Sequence, residues 1–169
     1  IQERAKTILV CLPMSVESAS ELLWICKGAF CDMKFYNVLI KCHPFLGIDK
    51  ISSNIDFDLP NNFEAVNGVM EFFLSKADYL IVSGSSVMME GLTKSIFTLV
   101  MANDTDIDLI PADMLETNLG WSYFSNPIEL RKSIDYQELR GNYKQINSEY
   151  KRVFEYSFKN LKRNGKADK

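Results

Sequence analysis

Ser83-Gly84-Ser85-Ser86 follows directly on the apolar run Tyr79–Val82 and leads into Val87–Lys94, which reads as a helix. A turn between a buried strand and a helix can hold an anion. Gly84 allows a positive φ and close approach of a ligand. Free N–H groups at the helix start, together with the hydroxyls of Ser85 and Ser86, would supply donors. A phosphate fits these residues, and a capped helix start with no ligand fits them equally well. The turn is not a P-loop and lacks the G-x-G-x-x-G fingerprint. It is not a nucleophile elbow either, because Val87 stands where the second glycine belongs.

Three further positions bear on the same chemistry. His43, the only histidine of the chain, closes the apolar run Phe35–Cys42 and precedes Pro44. An imidazole there can donate to a phosphate oxygen or, when protonated, neutralise its charge. Taken alone, a histidine at a strand end is more often a structural hydrogen-bonding group. Glu90 lies four residues beyond Ser86. Its carboxylate could accept from both hydroxyls of a ribose, or simply favour its helix dipole. Met14-Ser15 follows the first apolar run, Thr7–Leu12, with Ser15 suited to cap a helix and Glu17 in its first turn. No nucleophile–base pair can be read, so catalytic residues are left unassigned. The four cysteines Cys11, Cys26, Cys31 and Cys42 form no C-x-x-C pair, and no metal site is expected.

These residues need elements to carry them. Continuous apolar runs predict strands buried on both faces at Thr7–Leu12, Phe35–Cys42, Tyr79–Val82 and Ile96–Met101, with shorter strands at Phe63–Asn67 and Trp121–Phe124. Val16, Ala19, Leu23, Cys26 and Phe30 mark one face of a helix. Val69–Lys76 reads as a short helix, Gly47–Asn62 as a polar loop and Asn103–Asp108 as an acidic one. Asn126-Pro127 starts another helix, with Pro127 where its missing N–H costs nothing. A last helix from about Asn142 to Leu161 carries a stripe of Tyr143, Ile146, Tyr150, Val153 and Leu161. Strands alternating with helices predict an α/β fold, a Rossmann-like doubly wound parallel sheet with helices on both faces and a C-terminal helix. The expected division is 1–141 for the nucleotide-binding part and 142–169 for the terminal helix and polar tail of the same domain.

With 169 residues, 47% of them hydrophobic, one core of ordinary size is expected. A net charge of −3 gives no field favouring nucleic acid. The basic residues between Lys144 and Lys169 read as a solvated helix face, with peripheral contact to an inner membrane as the alternative. No apolar run is long enough to span a bilayer and no leader is evident, so a cytoplasmic location is expected. The start at Ile1 suggests a piece of a longer protein.

Lys41-Cys42-His43-Pro44 at a strand end, then Ala77-Asp78-Tyr79-Leu80-Ile81-Val82-Ser83-Gly84-Ser85-Ser86, then Glu90 resembles the C-terminal, donor-binding domain of GT-B fold glycosyltransferases. The likeness covers most of Thr7–Ile134. It is closest to bacterial enzymes of surface-carbohydrate synthesis, among them sialyltransferases and Kdo transferases, which carry a His-Pro motif and a serine motif. The resemblance implies that His43, Pro44 and Ser83–Ser86 hold the donor phosphates and Glu90 the ribose. Ser15 and Gly68 complete the expected substrate-binding set, with the base read by backbone near Val66–Gly68. The donor is then a nucleotide sugar, CMP- or UDP-linked, and no separate cofactor is implied. The partner is an N-terminal acceptor domain that would carry the general base, so this chain alone is not expected to transfer sugar. One departure is Thr93-Lys94-Ser95-Ile96, where the family usually has Gly-Lys-Pro. Two alternatives stay open. One is a UDP-N-acetylglucosamine 2-epimerase-like isomerase domain, which usually shows two adjacent glutamates where only Glu90 is present. The other is a non-catalytic nucleotide-binding domain.

Overall fold

The computed structural model describes residues 4–55, 58–102 and 120–140. The expected helix near 142–161, the boundary near Gly141 and the Asn103–Asp108 loop lie outside the described residues.

The described residues form a six-stranded, all-parallel sheet. Its strands are β1 (Lys6–Cys11), β2 (Tyr36–Lys41), β3 (Phe63–Val66), β4 (Tyr79–Val82), β5 (Phe97–Met101) and β6 (Trp121–Phe124), in the spatial order β3-β2-β1-β4-β5-β6. Between them run α1 (Val16–Phe30), α2 (Ile48–Ile55), α3 (Met70–Leu74) and α4 (Val87–Thr93), and α5 (Pro127–Arg140) follows β6.

Helices cover both faces of the sheet. Ile8 and Val10 of β1 pack with Ala19, Leu23, Cys26 and Phe30 of α1, and with Leu130 and Ile134 of α5. Leu9 and Cys11 point the other way, into a second cluster with Phe73 of α3 and Met88 and Leu92 of α4. Burial on both sides is why the β1 run is apolar at every position. The core is close-packed where α4 crosses the sheet. A Cβ on Gly91 would collide with the side chain of Leu80 and come within 3.0 Å of Thr98 Oγ1.

The helix starts follow local chemistry. Ser15 caps α1 by accepting from the Ser18 amide at 3.3 Å. Asn126 Oδ1 accepts from the Glu129 amide at 2.9 Å, ahead of Pro127. Glu129 reaches back to the amide and hydroxyl of Ser125, both at 2.8 Å, and these bonds hold its carboxyl below the ordinary carboxylate range.

One expectation fails: Gly47–Asn62 is not a loop throughout, because α2 occupies Ile48–Ile55. Asp49, Ser52, Ser53 and Asn54 are weak helix formers, and that composition masked the element. Its anchor is tertiary. Ile51 is fully buried and Ile48 packs against the same cluster, three residues apart on one helix face. In the turn from α4 to β5, Ser95 adopts φ 59°, the left-handed region that favours glycine. Among the described residues no helix is long and apolar enough to cross a membrane.

Candidate functional site

The register sets the site. Lys41, Cys11 and Val82 lie side by side across β2, β1 and β4, so the three strands end level. The turns that leave these strands therefore meet at one edge. Ser15 comes after β1, His43-Pro44 after β2, and Ser83–Ser86 after β4. His43 and Gly84 stand two residues past the ends of β2 and β4, the two strands that flank β1. The order β3-β2-β1-β4-β5-β6 reverses between β1 and β4. There α1 packs on one face and α4 on the other, the switch point at which open α/β sheets bind their ligands.

His43 is half-buried, and its Nδ1 accepts from the Phe45 amide at 3.3 Å. That contact leaves Nε2 as the protonated nitrogen of the neutral ring, a donor for a ligand. The carbonyl of His43 accepts from the Leu46 amide at 2.9 Å, closing a turn around the exposed Pro44. The rings of His43 and Phe45 lie 5.5 Å apart.

The serine turn differs in detail from the sequence expectation. Gly84 takes φ 54° as foreseen. The amides at the start of α4 are not free: Val87 donates to Ser85 Oγ at 3.3 Å, Met88 to the Ser85 carbonyl and Met89 to the Ser86 carbonyl, each at 3.0 Å. The turn is wound so tightly that the helix start satisfies itself. The exposed hydroxyl of Ser86 makes no capping bond and faces no such commitment. Ser83 is buried.

Ser15 is committed to α1. Besides capping, its hydroxyl donates to Glu17 at 2.9 Å, so its one proton is spent there. Glu17 is held below the ordinary carboxylate range by its own backbone amide and by that hydroxyl. Gly68, after β3, adopts φ 131° and bends the chain into Val69, which precedes α3. Glu90 sits half-buried on α4.

Lys41, which the sequence reading left without a role, acts with Glu90 on the end of β1 at this edge. Burial pushes the Cys11 thiol up to about 12, with Lys41 lowering it and Glu90 raising it. Both charges therefore act on the end of β1 from neighbouring elements. The Lys41 ammonium stands 5.7 Å from the centre of the Phe73 ring, and Cys11 Sγ contacts Met70 Sδ at 3.9 Å. The signal for Lys41 was present in Lys41-Cys42-His43-Pro44, but the face on which its side chain lies was not. Among the described residues no three His, Cys, Asp or Glu side chains are grouped as metal ligands.

No protein-family model and no curated protein matches the chain. Solved structures do match. CalG4, the calicheamicin glycosyltransferase, superposes with a TM-score of 0.66 at 15% identity, over 99% of this chain and 44% of that one. The wall teichoic acid polymerase TagF gives 0.53 at 18%, over 92% of this chain and 37% of that one. The catalytic domain of cholesterol-alpha-glucosyltransferase from Helicobacter pylori gives 0.55 at 16%, over 89% of this chain and 99% of that one. The chain thus spans less than half the length of the first two and nearly all of the third. It has the Rossmann-like α/β fold of a GT-B glycosyltransferase domain.

Proposed function

We propose that this chain is the nucleotide-sugar donor-binding half of a glycosyltransferase, acting in surface polysaccharide or glycoconjugate synthesis. The observation that carries the reading is the β1/β4 switch point, with His43 and the serine turn following the strands on either side of β1, in a fold shared with glycosyltransferases. In open α/β sheets this is where nucleotides bind. This reading gives four residues a role. His43 donates from Nε2 to a phosphate oxygen, and Ser86 adds a hydroxyl. Lys41 compensates the charge, and Glu90 accepts from the ribose hydroxyls.

Glycosyl transfer breaks the bond between the anomeric carbon and a phosphate oxygen, and negative charge grows on the departing phosphate. Donors fixed around that oxygen stabilise the leaving group as the bond breaks. The acceptor hydroxyl must also be oriented and deprotonated, and that positioning supplies much of the rate. Those parts belong, on this reading, to an acceptor domain outside the present chain. The chain alone should bind nucleotide and turn over nothing.

The test is a titration of the 169-residue chain with CMP, UMP and GMP, following backbone amide shifts. Shifts gathered at 13–15, 42–46, 67–69 and 83–87 support the reading. Shifts confined to the opposite edge, or none at all, overturn it. A transfer and donor-hydrolysis assay completes the test. Multiple turnovers that vanish on His43→Ala would make the chain a complete enzyme and end the half-enzyme reading.

A further inference from the structure

Strands covered by helices on both faces read apolar at every position. On one side β2 and β3 break that rule. Strand alternation puts Leu9 and Thr7 of β1 on the α3/α4 face, together with Leu39 and Asn37 of β2 and Val66 and Glu64 of β3. Helix α3 covers only part of this face, where its Phe73 and Leu74 pack with Leu9 and Cys11. Toward the amino ends of β2 and β3 the face is open: Asn37 and Glu64 are exposed, and Leu39 is half-buried. A cavity of about 330 Å³ occupies the gap, and Thr7, Asn37, Leu39, Asn61, Glu64 and Lys76 are among the residues that line it. That is room for one small organic ligand.

The polar groups around the cavity are unspent. Asparagine and glutamate are poor strand formers, so Asn37 and Glu64 do not stand there for the sake of the sheet. Among the described residues the side chains of Asn37, Asn61 and Glu64 make no hydrogen bond, and neither Glu64 nor Lys76 has an ion-pair partner. Asn62, next in the chain to Asn61, shows the opposite behaviour: the carbonyls of Phe30, Met33 and Tyr36 consume its amide. The Lys76 ammonium stands 3.8 Å from the centre of the exposed Phe72 ring.

Two amides that both donate and accept, a hydroxyl, one carboxylate and one ammonium thus surround an apolar floor at Leu39. The two charges cancel, so a phosphate or a metal ion would meet one attracting and one repelling group. A pyranose suits the set. It is neutral, its rim carries hydroxyls that donate and accept, and its C–H face can rest on Leu39. A carboxylate can accept from two adjacent hydroxyls at once.

We propose that this cavity is a sugar-binding site for one neutral pyranose unit, on the α3/α4 face of the sheet and apart from the β1/β4 switch point. It requires no nucleotide and holds whether or not the chain binds a donor. Asn37 and Glu64, on neighbouring strands, take the ring hydroxyls, and Lys76 donates from the segment after α3.

The test is an NMR titration of the full chain with methyl β-glucoside, with methyl N-acetyl-β-glucosaminide and, as a zwitterionic control, with alanine. Either glycoside should move the backbone amides of residues 7, 37, 61, 64 and 76 and the side-chain amides of Asn37 and Asn61. Alanine should not. Asn37→Val and Glu64→Ala should each weaken glycoside binding about tenfold. Their unfolding midpoints should stay near the parent's, which separates a lost ligand contact from lost structure. No shift at these positions with either glycoside overturns the site. Undiminished binding in both variants overturns it too. So does a response to alanine alone, because the paired charges would then select a zwitterion.

Discussion

At the amino edge of the sheet, side chains close on one another. Glu138 of α5 accepts from the hydroxyls of Tyr36 at 3.4 Å and Tyr79 at 3.2 Å. Asp78 takes the Thr7 amide at 2.8 Å and the Arg4 guanidinium at 3.1 Å. Asn62 donates to the carbonyls of Phe30, Met33 and Tyr36 at 2.9, 3.3 and 3.1 Å, and accepts from the Asp32 amide at 3.2 Å. At the carboxyl edge the pattern is reversed. Gly68 and Gly84 hold positive φ, Ser86 makes no capping bond, and Met14, Phe45 and Val69 stand exposed. One edge uses its polar groups to fasten helices and turns to the strands. The other ties Ser15 and the α4 amides into local bonds and leaves the Ser86 hydroxyl without a capping bond above a closed core, in keeping with loops that carry function on a rigid scaffold.

That contrast can be broken, and the sharpest attempt is Asn62→Ala. It leaves three half-buried carbonyls without their side-chain donor, and should cost about 3 kcal/mol of unfolding free energy. Denaturant unfolding at unchanged m-value measures it. Nucleotide affinity should not move, and a loss there would show the edges to be coupled.

His43→Ala is the mirror experiment. It should weaken nucleotide monophosphate binding by about 2 kcal/mol, the size of a charge-assisted hydrogen bond, and leave the unfolding midpoint in place. Equal affinity in variant and parent would remove His43 from the site.

The floor beneath the carboxyl edge offers a third test. The Cys11 thiol ionises near 12 in the folded chain against an ordinary 9.0. The folded state therefore keeps its proton longer than the unfolded state does. The stabilisation is whole below pH 9 and is lost as pH rises toward the folded value. Between pH 8 and 10 this one group should cost roughly 1.5 kcal/mol. The unfolding free energy of Cys11→Ala should fall less steeply over the same range. Parallel curves would mean that water reaches the floor.

The smallest effect belongs to Glu90. If its carboxylate holds the ribose, the parent should prefer a ribonucleotide to the 2′-deoxy form. Glu90→Gln should narrow that preference by about 1 kcal/mol. A parent indifferent to the 2′-hydroxyl would return Glu90 to a purely helical role.

The strand β4 could be read to the residue, because Tyr79–Val82 is apolar throughout and bounded by Asp78 and Ser83-Gly84. The Ser15 cap and the Pro127 start were equally legible, since such signals act within one turn. α2 was not, because its helix is held by Ile51 in a core assembled from distant segments. The same division runs through the site. His43 and the serine turn could be picked out because they end apolar runs. That Ser15 spends its proton on Glu17, and that the α4 amides are already taken, needed the folded geometry.

By itself, then, the order of residues determined which segments are strands, which turns can bend at glycine, and which polar groups fall at strand ends. These depend on neighbours within a few positions, where steric and capping preferences act. Only the tertiary structure decided that β1 lies between β2 and β4, and so set residues 43 and 84 beyond the strands on either side of it. It alone put Lys41 and Glu90 around Cys11 and left Phe45 outside the core. Strand order follows from right-handed crossovers and the burial of two sheet faces at once, a constraint on the whole chain that no local window contains.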